Sequence, residues 1–208
     1  PGRVAQSPSG LEYYHIEFPA VNLEAKSTLI HSRFIQLTGH PGGEAVSRIS
    51  AACRKTRIAP ENVLFMDIET TGLRSMPVFL IGTMECRPEG LIFKQYFARG
   101  FDEEASIISA YSESLKDVEM LVTFNGKCFD VPFLRGRAAE NHLELTENYT
   151  HLDMLYEARK IYRGELPNCR LQTLESMICA RMIYQAAKSR QRIVNSSKPV
   201  GWIRSVPY

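Results

Sequence analysis

The sequence predicts an α/β fold built on a mixed β-sheet flanked by helices. Apolar runs at residues 63–68, 77–86 and 91–97 have the composition of strands, and the linker 87–90 contains Pro and Gly and is short enough for a hairpin. A helix–strand–helix pattern follows over residues 102–142. Hairpins give antiparallel neighbours and helical crossovers give parallel ones, so three antiparallel strands should be followed by parallel strands.

Residues 1–60 carry weaker signals, and we assign them to an N-terminal extension of unclear role. Residues 1–10 are polar, so we expect them to be frayed. Residues 11–19 have strand-like content, and residues 43–57 fit a helix. The extension should pack against the sheet or extend it.

The domain itself is expected over residues 61–180. Acidic residues favour a helix start near Asp102, and Pro132 suits the first turn of another helix. The helices are predicted at residues 102–117, 132–142, 152–162 and 170–182, and a strand at residues 120–124.

Composition bounds the class of protein but not its function. The chain has 208 residues, of which 44% are hydrophobic and 23% charged, and a net charge of +2. That charge is too small to argue for nucleic acid by itself. The five cysteines form no C-x-x-C pair, which favours reduced thiols in the cytosol. No apolar run approaches the roughly 18 residues of a membrane span, so we expect a cytoplasmic protein with no membrane partner.

Two acids stand at the end of the first strand of the domain. Asp67 and Glu69 are two residues apart, so their side chains should leave the same face of the strand. Like charges placed side by side repel, and oxygen ligands suit Mg²⁺ or Mn²⁺. The alternative is that Asp67 caps a turn and Glu69 is merely exposed. The Thr-Thr-Gly that follows favours a tight turn near a ligand.

A third acid follows a second apolar strand. Asp130 lies at the start of a predicted helix, and Asn125 and Gly126 lie at the end of the strand before it. Loops at such strand ends often carry function. The alternative is that Asp130 is a helix N-cap and Asn125 a turn residue.

Taken together, the segments "MDIETTGL" (66–73) and "FNGKCFDVPFL" (124–134) resemble the DEDD-type 3′–5′ exonucleases of the RNase H-like superfamily. Within that group the sequence is most similar to a bacterial YprB-like branch. The downstream segments "HLDMLYEAR" (151–159) and "LPNCRLQTLE" (166–175) look like that branch as well. The resemblance implies an RNase H-like mixed sheet.

The resemblance also implies roles for individual residues. Asp67, Glu69 and Asp130 match the acids that hold two divalent ions, Mg²⁺ or Mn²⁺, and that catalyse hydrolysis. The expected partner is the single-stranded 3′ end of a nucleic acid. The residues that match substrate-contacting or site-shaping positions are Thr70, Thr71, Leu73, Asn125 and Phe129.

The final motif of that family, a His or Tyr four residues before a last metal-binding Asp, is missing from the printed sequence. No Asp follows Asp153 and no His follows His151. We expect Asp153 to cap or hydrogen-bond near the site rather than to bind metal. Loss of the base alone typically costs about 10²–10⁴-fold in rate, so we expect impaired activity.

The last segment, residues 181–208, has no acidic residue and no apolar rhythm. It fits either a basic tail that touches nucleic acid or a shifted reading frame. Shifting the frame by one base makes the codons of Met182 and Ile183 encode Asp, which would restore an acidic continuation.

Two functions remain open from the sequence. The first is a metal-dependent 3′–5′ exonuclease that hydrolyses DNA or RNA. The alternative is a non-catalytic nucleic-acid-binding or interaction module on the same fold, which the missing fourth carboxylate motivates.

Overall fold

The computed structural model describes residues 2–39, 58–70, 72 and 76–177. Several sequence-based predictions lie outside these residues. They are the helix at 43–57, the contact residues Thr71 and Leu73, and the two interpretations of residues 181–208.

The domain contains a seven-stranded mixed sheet in the order β1-β2-β5-β4-β3-β6-β7. The first five strands in this order, β1, β2, β5, β4 and β3, are each antiparallel to the next. The last three, β3, β6 and β7, run parallel to one another. This confirms the predicted mixed sheet. The strands are β1 Arg3–Gln6, β2 Glu12–Pro19, β3 Val63–Thr70, β4 Val78–Arg87, β5 Gly90–Phe97, β6 Met120–Thr123 and β7 Thr150–Asp153.

Helices connect and cover the strands. They are α1 Ser27–Gly39, α2 Glu104–Ser114, α3 Asp130–Glu140 and α4 Met154–Tyr162. Residues 171–177 are also helical. The chain divides into two compact units, Pro1–Glu157 and Ala158–Tyr208, and the first contains the complete sheet. None of the helices within the described residues is long and apolar enough to cross a membrane.

The prediction that residues 1–10 are frayed is wrong. Strand β1 pairs with β2 in a register that runs from Arg3↔His15 to Gln6↔Glu12. A turn closes the pair, with the amide of Ser7 bonded to the carbonyl of Leu11 at 2.8 Å. Backbone pairing of this kind needs no apolar side chains, so the polar composition concealed it. The two strands extend the sheet beyond β5, one of the two roles expected for this segment.

Strand β7 was missed as well. The helix predicted at 152–162 begins only at Met154, because Thr150–Asp153 pairs in parallel with β6. Four residues after a polar stretch give little local signal for a strand. The pairing with a buried neighbour stabilises it instead.

The strands β3 and β6 are covered on both faces. Leu64, Met66 and Ile68 belong to the main core cluster, while Val63 packs in a second cluster with Met120 and Val122. Strands buried on both sides read as continuous apolar runs, as these two do. Because β3, β6 and β7 are parallel, their carboxyl ends lie at the same edge of the sheet, where α/β proteins place ligands.

A buried ion pair fixes helix α3 against α2. Glu104 is 2% exposed, and its carboxylate accepts hydrogen bonds from Arg137 Nε at 2.7 Å and from the amide of Val78 at 2.8 Å. Removing one partner from such a pair typically costs about 3–5 kcal/mol. The pair therefore holds α3, whose first residue is Asp130.

Candidate active site

The acids of β3 lie on one face of the strand, as predicted. Asp67 and Glu69 are exposed, and the residues between and before them, Ile68 and Met66, are buried. A β-bulge between Glu69 and Thr70 ends the regular pairing with β4. There the hydroxyl of Thr70 donates to the carbonyl of Gly72 at 3.1 Å. The turn predicted after the acids includes Thr71, which lies outside the described residues.

Asp130 reaches the same site from helix α3. It is 5% exposed, and its pKa is raised to about 7 by burial first, and then by the negative charges of Asp67 and Asp153. Charges raise a neighbouring pKa in this way only when they are close. The fold therefore brings together two of the three predicted metal ligands, Asp67 and Asp130.

The pKa of Asp67 is also raised, because neighbouring protein atoms partly desolvate its carboxylate, although a backbone hydrogen bond at Ile68 opposes this. Two partly desolvated carboxylates that repel each other are stabilised by a bound cation. The donor set thus fits a hard divalent ion such as Mg²⁺ or Mn²⁺. Asp67 and Asp130 would hold it directly.

The third predicted ligand, Glu69, is not grouped with Asp67 and Asp130 in an arrangement that could hold one ion. It shares a face with Asp67, and residues two apart on a strand lie roughly 7 Å from each other along the strand. Within the described residues, no group of three His, Cys, Asp or Glu side chains is arranged to hold one ion. The fold therefore places Glu69 on the correct face but does not assemble a complete three-ligand set.

Asp153 lies beside these acids at the end of β7. It is 2% exposed, and its carboxylate accepts hydrogen bonds from the amides of Asn125, Lys127 and Leu155 at 2.8, 3.0 and 3.0 Å. This confirms that Asp153 hydrogen-bonds near the site. No local pattern indicates that two of its partners are amides of the loop before Asp130.

The loop between β6 and α3 is tightly packed. Asn125 has φ 67°, a left-handed conformation that Asn tolerates better than most residues. Gly126 follows, and a Cβ atom there would overlap Thr123 and lie 2.9 Å from Asp130 Oδ2. Only glycine fits at this position, so the backbone runs directly against the carboxylate of Asp130.

His151 on β7 is hydrogen-bonded to Thr123 on β6, with 2.8 Å between Nε2 and Oγ1. Burial lowers the pKa of His151, and the nearby charge of Lys127 lowers it further, against the opposing charge of Asp153. Both effects favour the neutral form of the imidazole. The hydrogen bond between Thr123 and His151 links strand β6 to strand β7.

The surface around the acids carries exposed aromatic rings. Phe129 is 47% exposed and stacks on Phe133 of α3, with 6.0 Å between ring centroids. Tyr156 is 39% exposed, and the ammonium of Lys127 lies 5.8 Å from the centre of its ring. The Sγ of Cys128 is 3.1 Å from the Tyr156 hydroxyl, which makes this thiol part of the same surface.

Comparison with known proteins identifies the superfamily of the fold. A family model described as the RNase_H superfamily matches residues 64–194, more than half of the chain. The chain belongs to the RNase H superfamily. The match includes the segments that carry Asp67, Asp130 and Asp153.

This RNase H superfamily chain is similar in sequence to a curated protein, the "Uncharacterized protein YprB" of Bacillus subtilis (strain 168). The two are 29% identical over 119 residues, which is 55% of this chain and 29% of that protein. The chain thus spans less than a third of that relative's length. The relative's printed name assigns no activity.

Proposed function

We propose that this domain is a metal-dependent 3′–5′ exonuclease that hydrolyses phosphodiester bonds of DNA or RNA. The observation that carries the proposal is the proximity of Asp67 and the buried Asp130, whose mutual repulsion a divalent cation would relieve. Membership of the RNase H superfamily supports a nuclease-type reaction on nucleic acid.

Asp67, Glu69 and Asp130 would hold two Mg²⁺ or Mn²⁺ ions. When bound, such ions supply an acidified water and electrostatic stabilisation of the phosphate in the transition state. Hydrolysis breaks the bond between phosphorus and the 3′-oxygen. The water oxygen joins the phosphorus, a proton goes to the 3′-oxygen, and a nucleoside 5′-monophosphate leaves.

The neighbouring residues suit the binding of a single-stranded 3′ end. Phe129 offers an exposed ring on which a base can stack, which typically contributes about 1–3 kcal/mol per base. We assign contacts with the same terminal nucleotide to Thr70, the last residue of β3, and to Thr71 and Leu73, which follow it in the sequence. Asn125 shapes the loop that leads to Asp130.

The second candidate is a non-catalytic module that binds nucleic acid on the same fold. It is favoured by the lack of a three-ligand group among the described residues. Such a module would bind nucleic acid in a salt-sensitive manner. Its binding would be indifferent to chelator and to loss of Asp67.

An assay of mononucleotide release distinguishes the two functions. Single-stranded DNA and RNA oligonucleotides are incubated with the protein and Mn²⁺, Mg²⁺ or EDTA. An exonuclease releases 5′-mononucleotides with either ion, and Asp67→Asn abolishes the release, while the exposed Asp117→Asn does not. Binding without release, unchanged in Asp67→Asn and in EDTA, would establish the second function instead.

A further inference from the structure

The carboxylate of Asp153 accepts hydrogen bonds from the loop that precedes Asp130. Its Oδ1 accepts from the amides of Asn125 and Leu155, and its Oδ2 accepts from the amide of Lys127. The residue is 2% exposed, so these amides satisfy a carboxylate that solvent does not reach. Two of its three donors belong to the loop, and the third, Leu155, belongs to helix α4, which follows Asp153.

That loop determines where Asp130 lies. The carbonyl of Asn125 accepts from the amide of Phe129 at 3.2 Å, and the carbonyl of Gly126 accepts from the amide of Val131 at 3.0 Å. Gly126 is packed so closely that a Cβ atom would lie 2.9 Å from Asp130 Oδ2. A shift of the loop backbone therefore shifts the Asp130 carboxylate.

The geometry points to Asp153 as a positioning residue, which holds the loop at Asn125 and Lys127 so that Asp130 faces Asp67 and the two can share a divalent cation. This inference rests on the proposed function for its cation. It assigns Asp153 a role through the loop rather than as a ligand, since its carboxylate accepts three backbone hydrogen bonds, two of them from the loop.

The role requires a carboxylate. An asparagine at position 153 would offer only one acceptor oxygen. In one orientation its NH₂ group would face the amide of Lys127, and in the other it would face the amides of Asn125 and Leu155. At least one donor would then be left without an acceptor in a buried site. Capping helix α4 uses only Oδ1, whereas the loop is held at Asn125 by Oδ1 and at Lys127 by Oδ2.

The test compares Asp153→Asn with Leu91→Ala in the full chain. Leu91 is buried with Ala20 and Cys86 in a separate cluster, so its truncation controls for lost stability alone. Mn²⁺ affinity is measured by calorimetric titration, and hydrogen exchange is followed in a peptide that covers residues 124–131. Asp130→Ala shows the effect of losing a ligand.

A positioning role predicts that Asp153→Asn weakens Mn²⁺ affinity by about 10–100-fold and increases exchange at residues 124–131. Leu91→Ala should lower the Tm but change neither readout. If Asp153→Asn does not fold, Asp153→Glu keeps both acceptors one methylene further out, and about tenfold weaker Mn²⁺ binding is expected from it.

Two results would overturn the inference. One is an Asp153→Asn protein with a lowered Tm but unchanged Mn²⁺ affinity, as in Leu91→Ala. The other is an Asp153→Asn protein that loses Mn²⁺ binding as completely as Asp130→Ala while the loop amides stay protected, since that identifies a ligand. Wild-type protein that binds no Mn²⁺ would refute the proposed function instead, and the exchange data alone would then decide whether Asp153 holds the loop.

Discussion

The carboxylate of Asp67 lies close enough to the buried Asp130 that its negative charge contributes, after burial, to raising the pKa of Asp130 to about 7. The two residues are 63 positions apart in the sequence and come from a strand and a helix. Such proximity of acids costs stability unless a cation or a proton neutralises one of them. The pair should therefore make both the unfolding free energy and the affinity for divalent ions depend on pH.

The stability of the metal-free protein should fall as pH rises from about 4 to about 7. In this range the folded state keeps a proton on Asp130, whereas an aspartate in the unfolded chain, with a pKa of about 3.9, has lost it. Asp130→Asn should reduce this slope and raise the unfolding free energy at pH 8 by about 1–2 kcal/mol, after allowance for solvent screening. Chemical denaturation in EDTA from pH 4 to 8 measures it, and an equal slope in both proteins would contradict the assignment.

Divalent-ion affinity should increase with pH up to about 7. The ion requires the ionised form of Asp130, and binding below the pKa must displace a proton. We expect up to about a tenfold change in Mn²⁺ affinity per pH unit between pH 5 and 7, and little change above pH 8. Calorimetric titration in several buffers measures both the affinity and the proton released. Affinity that is flat across this range would show that Asp130 is not a ligand.

Substitution of two glycines should have opposite effects. Gly126→Ala places a methyl group against Thr123 and Asp130 and should destabilise the fold by about 1–3 kcal/mol and weaken Mn²⁺ binding. Gly136→Ala in helix α3 meets nothing within 4 Å and should stabilise by about 0.5–1 kcal/mol. Thermal denaturation with and without Mn²⁺ separates the two effects. A Gly126→Ala protein that binds Mn²⁺ normally would show that the loop does not control the site.

The exposed ring of Phe129 should contribute to the binding of single-stranded nucleic acid. Phe129→Ala is expected to weaken oligonucleotide binding by about 1–3 kcal/mol and to leave Mn²⁺ affinity unchanged. Phe101, which is 68% exposed in the short helical turn before α2, provides the control, and its replacement by Ala should not change binding. Fluorescence anisotropy with labelled single strands and EDTA measures the difference. Equal affinities for the two variants would place the substrate elsewhere.

The sequence predicted the parts of the fold that local patterns encode. Strands β3 to β6 are apolar runs separated by turn residues or, between β5 and β6, by helix α2. The period of two along β3 placed Asp67 and Glu69 on one face. These features depend on near neighbours in the chain, so one sequence is enough to predict them.

Features that depend on distant pairing could not be predicted in this way. The polar strand β1 exists because its backbone pairs with β2, and β7 exists because it pairs with β6. The role of Asp153 follows from the same pairing, which brings Thr123 opposite Asp153 and so places its carboxylate beneath the loop at Asn125. No local pattern in "HLDML" indicates which amides that carboxylate accepts from.

The reading frame of residues 181–208 is a separate question that gene sequencing answers. A base gained or lost near codon 181 would restore an acidic continuation and a candidate fourth ligand. If the printed frame is correct, residues 1–208 supply three predicted ligands, and the non-catalytic binding module becomes the favoured candidate. The assay of the proposed function should be run at high protein concentration and with both metal ions.

The most direct test of the proposed exonuclease is the polarity of degradation of a single-stranded oligonucleotide in Mn²⁺. A 5′-labelled substrate should give a ladder that shortens from the 3′ end, a 3′-labelled one should release labelled mononucleotide at once, and Asp67→Asn and EDTA should stop both. Internal cleavage, release from the 5′ end, or activity that persists in Asp67→Asn would contradict the account.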